Sequence, residues 1–300
     1  MGRHSKNITI QINQRVNDLL RIGQGKVKND PTNPNRSEGI HSIRTANTYR
    51  SVGNSFAGYL KGQGVRNIGN ITKEHISGYM LSRAGLSAYT QSKDLAAINK
   101  LLDTRYTLRD FGLRERSHQR ITNNRGLARY DTSHAVRNRE QLAFVRSTGI
   151  RRESIATITP AQALRDGTGL VVGFHVIEKG GRERNCVVLA MERERITHLV
   201  DNHIVEQGVN APLFRAVDSN ANPHWQRREY AQALYNDLRE TQGDYYSGLR
   251  DSFINQENLE RATSRYATPT VRGYERDVLA EVSQALGHNR LDVVIYHYLK

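Results

Sequence analysis

The sequence contains one pair of β-rich runs, whereas its other periodic segments have helical spacing. This pair therefore limits the possible folds more than any other feature. Residues 169–178 and 184–190 are rich in β-branched and other apolar side chains, and Lys179-Gly180-Gly181-Arg182 joins them. Two such runs around a glycine turn predict a β-hairpin. The segments after it predict helices at about 191–205, 223–240, 247–257 and 274–286. The sequence therefore predicts a mainly α fold with a small antiparallel β-sheet.

The chain is predicted to contain an arm and two domains. Residues 1–40 are polar and basic, with a breaker at 29–35, and predict a basic N-terminal arm that holds at most one short helix, Ile8 to Ile22. Apolar side chains at helical spacing predict a helical domain over 41–125, with Thr72 as the N-cap of one helix. Asn123-Asn124-Arg125-Gly126 is the predicted linker, so residues 126–300 form the second domain.

The charge of the chain favours a polyanionic partner. Lys and Arg total 44 against 30 acidic residues, which gives a formal net charge of +14, and the excess is spread along the sequence. That distribution suits duplex DNA better than a single anionic pocket. The single cysteine, Cys186, excludes an internal disulfide. No apolar run has the length of a membrane span, so we expect a cytoplasmic DNA-associated protein without a membrane partner.

The sequence carries no motif for metal or nucleotide chemistry. It has no His-Glu-x-x-His, no cysteine pair and no G-x-x-x-x-G-K-[S/T] loop. The residues left for chemistry are arginines, one lysine at the hairpin tip, and a histidine followed by tyrosines. Guanidinium groups stabilise charge that develops on phosphate oxygens, and a tyrosine can form a covalent phosphotyrosyl link that conserves the bond energy. These residue types therefore favour metal- and ATP-independent phosphoryl transfer on DNA.

Five segments carry this chemistry in chain order. They are Thr148-Gly149-Ile150-Arg151-Arg152, Glu178-Lys179-Gly180-Gly181-Arg182-Glu183-Arg184, Ser247-Gly248-Leu249-Arg250-Asp251-Ser252-Phe253, Leu286-Gly287-His288-Asn289-Arg290 and Tyr296-His297-Tyr298-Leu299. In type and order they resemble the motifs of the tyrosine recombinase family, which includes the integrases of phages and mobile elements. The resemblance implies a helical core-binding domain followed by an α+β catalytic domain.

The resemblance also implies a role for each site residue. The two catalytic arginines map to Arg151 and Arg250, the hairpin lysine to Lys179, the histidine to His288 and the nucleophile to Tyr298. Three alternatives stay open, and one residue departs from the family pattern. Tyr296 is the second choice of nucleophile, and Arg152 is the second choice for the first arginine. Arg265 is a rival for the second arginine, and Ser247 stands where the family has the histidine of a His-x-x-Arg box.

A member of this family would be a site-specific recombinase that integrates or excises a mobile element. The resemblance implies cleavage of DNA through a 3′-phosphotyrosyl intermediate, without a metal or other cofactor. It implies double-stranded DNA with inverted half-sites, assembly from dimer to synaptic tetramer, and sometimes an accessory directionality factor. Two other functions are kept as alternatives. One is a non-catalytic DNA-binding protein with a decayed recombinase fold, which the serine at 247 would favour, and the other is a DNA-relaxing enzyme similar to type IB topoisomerases.

Overall fold

The computed structural model describes residues 7–24, 39–117, 132–178, 182–240, 253–288 and 290–299. The chain divides into two compact units, Met1–Arg120 and Ile121–Lys300. It is mostly helical and contains a small antiparallel sheet, so the predicted fold class is confirmed. No helix among the described residues is both long enough and apolar enough to cross a membrane.

The first unit is helical in its described part. Its helices are α1 (Ile8–Asp18), α2 (Ile43–Gly62), α3 (Lys73–Ser82) and α4 (Ala88–Leu102). Short polar residues begin them, as expected for groups that satisfy the first amides of a helix: the N-caps are Asn7, Ser42, Thr72 and Ser87. The predicted role of Thr72 as an N-cap is confirmed.

The described part of the predicted arm is not a free arm. Helix α1 lies inside the segment 1–40 and buries Ile8, Ile12 and Val16 in the core of the first unit, against α2. The spacing of these three residues, four apart, places them on one helical face. An apolar stripe of this kind is stabilised by burial, so α1 is part of the folded unit.

The second unit surrounds a three-stranded sheet with helices. Its elements are α5 (Thr132–Arg137), α6 (Arg139–Thr148), α7 (Arg152–Ile155), β1 (Ala163–Arg165), β2 (Val171–Glu178), β3 (Arg182–Val187), α8 (Arg193–Gln207), α9 (Pro223–Glu240), α10 (Gln256–Thr263), β4 (Thr270–Val271), β5 (Tyr274–Glu275), α11 (Arg276–Ala285), α12 (Leu291–Val294) and a π-helix (Ile295–Leu299). Helix α9 packs against α6, α11 and the π-helix, so it touches the elements that precede and contain the candidate site residues.

The predicted hairpin is confirmed, and the sheet has one more strand than predicted. β2 and β3 pair antiparallel, with Glu178 opposite Arg182, and β1 pairs with the other edge of β2. Strand β1 and the two-residue strands β4 and β5 were not predicted, because segments this short carry almost no periodicity. The predicted helix at 247–257 lies largely outside the described residues.

Candidate active site

The site is built on the C-terminal end of helix α11. Gly287 follows the helix with φ +68°, and its amide donates to the carbonyl of Gln284 at 2.7 Å. The amide of His288 donates to the carbonyl of Ser283, also at 2.7 Å. These two bonds define a Schellman motif, and they confirm that the helix ends close to residue 286, as predicted. The carbonyls of residues 285–287 lie beyond the last hydrogen bonds of the helix and need donors from other parts of the chain.

Guanidinium groups supply those donors. Arg151 Nη2 donates to the carbonyls of Leu286 (3.3 Å) and Gly287 (3.1 Å), Arg227 Nη2 donates to Leu286 (2.9 Å), and Arg184 Nη1 donates to Ala285. The end of a helix carries partial negative charge on such carbonyls, which stabilises nearby cations. Three arginines from separate parts of the chain therefore meet in front of His288.

Gly149 places the first of these arginines. It ends helix α6 with φ +61°, and its carbonyl accepts from Arg227 Nη1 and from Arg184 Nη2, the latter at 3.4 Å. A Cβ on this residue would lie 2.4 Å from the ring of Tyr230. The close approach and the left-handed backbone both require glycine, and Arg151 follows two residues later at the cluster.

A tyrosine and a histidine meet beside the arginines. Tyr298 Oη lies 3.2 Å from His288 Nε2, within hydrogen-bonding distance. The ring centroid of Tyr298 lies 5.8 Å from the guanidinium carbon of Arg227, in a cation–π contact. Gln232 Nε2 on α9 donates to the carbonyl of Tyr298 at 3.2 Å and ties the π-helix to that helix. The phenol is thus held between a histidine and a cation.

The surroundings of His288 keep its imidazole neutral. Burial, followed by the charges of Arg227, Arg151 and Arg184, lowers the pKa of His288 to about 3, against the opposing charge of Glu178. A neutral imidazole has one ring nitrogen that can accept a proton. At neutral pH the imidazole can therefore accept the hydrogen bond of the Tyr298 hydroxyl.

The structure brings together three of the residues that the sequence predicted. Arg151, His288 and Tyr298 lie in one cluster. Tyr296 is buried elsewhere, with the guanidinium of Arg272 4.9 Å from its ring centroid. Three further predicted site residues lie outside the described residues: Lys179, Ser247 and Arg250. The rival Arg265 is exposed just after α10.

Two residues near the arginine cluster were not singled out from the sequence. His224 and Arg227 lie in the first two turns of α9, which Pro223 begins. Arg227 is buried and reaches the carbonyls beside Arg151, as described above. Burial and, after it, the charge of Arg227 lower the pKa of His224, and the charge of Arg151 lowers that pKa further. The available signal was the spacing His224-Trp225-Gln226-Arg227, an intact His-x-x-Arg.

Comparisons with known proteins add little to this geometry. No family model matches the chain, and no curated protein matches it. A solved structure titled "Crystal structure of XerA recombinase" aligns with 98% of this chain and 94% of that chain, at 13% sequence identity and a TM-score of 0.31. A likeness of that size carries no argument about fold or function, so the proposal below rests on the residues of the site.

Proposed function

We propose that the chain is a tyrosine-type DNA strand transferase, a site-specific recombinase that cleaves and rejoins DNA. One observation carries the proposal: the Tyr298 hydroxyl lies 3.2 Å from the neutral imidazole of His288, beside the guanidinium groups of Arg151 and Arg227. A phenol, a proton acceptor and two planar cations are the parts that attack on a phosphodiester requires.

The cleavage step follows from this arrangement. Tyr298 Oη attacks the scissile phosphorus, the P–Oη bond forms and the P–O5′ bond breaks. The negative charge of the bound phosphate offsets the arginines that lower the pKa of His288, so His288 Nε2 becomes basic enough to take the phenolic proton. The departing 5′ oxygen receives a proton to become a hydroxyl. The DNA is left with a 3′-phosphotyrosyl link and a free 5′-hydroxyl. Attack by a 5′-hydroxyl on that link reverses the step and reseals the strand without ATP or metal.

Arginines stabilise the phosphate while its non-bridging oxygens gain charge. Arg151 comes from the loop after α6 and Arg227 from α9, so they can bind the phosphate from two sides. We assign the second arginine to Arg227 and the histidine of the His-x-x-Arg box to His224. This assignment replaces the sequence-based choice of Arg250 and Ser247, and it removes the reason for regarding the box as decayed. Lys179 stays the predicted donor of the proton to the leaving oxygen.

Duplex DNA is the partner that the charge of the chain suits. A net charge of +14 spread along the sequence would neutralise phosphates over a long site. The proposal includes binding to inverted half-sites, pairing into dimers and a synaptic tetramer, and the integration or excision of a mobile element, with an accessory directionality factor where one direction must be favoured.

The test is a covalent trap. A binding site is first selected from random duplexes, and suicide substrates are then nicked at successive positions across it, so that the cleaved fragment diffuses away. The wild type should form a covalent protein–DNA adduct, Tyr298→Phe should form none, and the matched variant Tyr296→Phe should behave like the wild type. Specific DNA binding without an adduct at any position would refute the proposal in favour of a non-catalytic DNA-binding protein. Relaxation of supercoiled DNA regardless of sequence, without recombination, would instead favour a topoisomerase.

A further inference from the structure

The carboxylate of Glu178 lies behind the arginine cluster and is almost completely buried. Its side chain, at the end of β2, is 1% exposed. It accepts from Arg184 Nε and Nη2, each at 2.9 Å, from Arg151 Nη1, and from the Arg151 amide at 3.3 Å. The guanidinium of Arg184 thus binds both carboxylate oxygens, whereas that of Arg151 binds Oε2 alone.

The two arginines differ in their exposure. The side chain of Arg184 is 7% exposed and that of Arg151 is 24% exposed. Arg184 also donates to the carbonyls of Ala285 and Gly149, so it is fixed from several sides. It therefore anchors the carboxylate from behind, and the carboxylate in turn holds the more exposed guanidinium.

Glu178 keeps its negative charge in this buried position. Burial would raise the pKa of its carboxyl, but the hydrogen bonds and charge of Arg184, with the charge of Arg151, outweigh burial and hold the pKa below its usual value. A charged carboxylate can orient a guanidinium by paired, charge-assisted hydrogen bonds. It also offsets part of the repulsion among Arg151, Arg184 and Arg227, which all bind the carbonyls after α11.

We propose that Glu178 is a positioning residue, which fixes the Arg151 guanidinium in the orientation that meets the scissile phosphate. The role rests on the proposed function, because it acts through Arg151 on the transferred phosphate. The other terminal nitrogen of the Arg151 guanidinium, Nη2, donates to the carbonyls of Leu286 and Gly287, so both terminal nitrogens of the group are held. Misplacing a catalytic group by about 1 Å can slow a reaction roughly 100-fold.

The experiment measures the rate of adduct formation on two suicide substrates. One carries the normal scissile phosphate and the other carries a neutral methylphosphonate at the same position. With the phosphate, Glu178→Gln should slow the adduct by about 100-fold while DNA affinity stays near that of the wild type. With the methylphosphonate, less negative charge needs to be stabilised, so the defect should nearly disappear. Arg151→Ala should show the same pattern, and the double variant should be no slower than Arg151→Ala alone.

Two further variants keep the test decisive. Glu183→Gln removes a carboxylate from the same hairpin, with a side chain that is 67% exposed, and should match the wild type on both substrates. Glu178→Asp keeps the charge and should recover part of the rate. It also serves if Glu178→Gln does not fold, which circular dichroism would reveal.

The outcomes separate the two levels of the proposal. An equal defect on both substrates would show that Glu178 is structural and would overturn the positioning role, as would a wild-type rate for Glu178→Gln. In both cases the wild type still forms the adduct, so the proposed function stands. Absence of any adduct from the wild type would overturn the proposed function and the positioning role with it.

Discussion

The neutral state of His288 gives the most quantitative prediction about this site. An ordinary unfolded histidine has a pKa of about 6.5, and in the folded protein burial and three neighbouring arginines lower the pKa of His288 to about 3. Between these values the unfolded chain binds more protons than the folded one, so the free energy of unfolding rises with pH. The stabilisation is present above pH 6.5 and is lost as the pH falls from 6.5 towards 3.

The size of the effect follows from the two pKa values. Moving from pH 7 to pH 5 protonates His288 in the unfolded chain but not in the folded protein, which costs about 2 kcal/mol. His288→Gln removes the titrating group and keeps a hydrogen-bonding side chain of similar reach. Over the same pH interval the wild type should therefore lose about 2 kcal/mol more free energy of unfolding than the variant.

Urea unfolding of both proteins at pH 7 and pH 5 measures this difference. Comparing the variant with the wild type cancels the carboxylates and other histidines that titrate in both. The matched control is His198→Gln, an exposed histidine on α8, which should follow the wild type. Equal losses in the wild type and His288→Gln would refute the reasoning, because they would mean that the imidazole is free to take a proton in the folded protein.

Three further predictions test the cluster and its partner. Gly149→Ala should lower the free energy of unfolding by about 2–4 kcal/mol in urea titrations, because the new Cβ would lie on a left-handed backbone and 2.4 Å from the Tyr230 ring. The control is Gly167→Ala, whose Cβ would meet open space and which should change the free energy of unfolding by less than about 1 kcal/mol. Arg227→Lys should reduce the formation of suicide-substrate adducts by about 100-fold, since lysine cannot replace paired guanidinium hydrogen bonds. Arg250→Lys should reduce it only slightly. A larger defect in Arg250→Lys than in Arg227→Lys would favour Arg250 as the second arginine. DNA affinity, measured by fluorescence anisotropy, should fall by roughly 10³-fold or more between 50 and 200 mM salt, since phosphate contacts release counterions; a salt-independent affinity would contradict binding along the backbone.

Local patterns predicted the elements of the second unit better than they predicted its site. The hairpin of β2 and β3 and the end of α11 at Gly287 were readable, because alternation, glycine turns and helix caps act within a few residues. The bonds that build the site join residues far apart, such as Arg151 and Gly287, which are 136 positions apart in the chain. The periodicity of a sequence does not predict a contact between residues so far apart. Only the types of the site residues and their order along the chain could suggest that they meet.

The residue that we propose as the second arginine differs from the one that the sequence suggested. Arg227 belongs to an intact His-x-x-Arg at the start of α9, yet the sequence suggested only a helix there, at about 223–240. The long stretch from Arg227 to His288 hid the motif, because α10 and the short β4–β5 pair lie within it. The proposed assignment rests on Arg227 being buried and donating to the carbonyls of Gly149 and Leu286.

Helical periodicity could not show which of the two tyrosines, Tyr296 or Tyr298, lies beside His288. Tyr298 lies in a π-helix, whose turns hold more residues than the 3.6 of an α-helix. The face that Tyr298 presents therefore cannot be derived from the usual helical spacing. The structure places its hydroxyl at His288, while Tyr296 packs against Arg272.

Mass spectrometry can identify the residue that becomes joined to DNA. The wild-type adduct on a suicide substrate would be digested with nuclease and protease, and the modified peptide would be sequenced by mass spectrometry. Our account predicts a nucleotide attached through a 3′-phosphate to Tyr298. Attachment to Tyr296 or to any other residue would contradict the site described here, and DNA cleavage that leaves no residue modified would contradict phosphotyrosyl chemistry altogether.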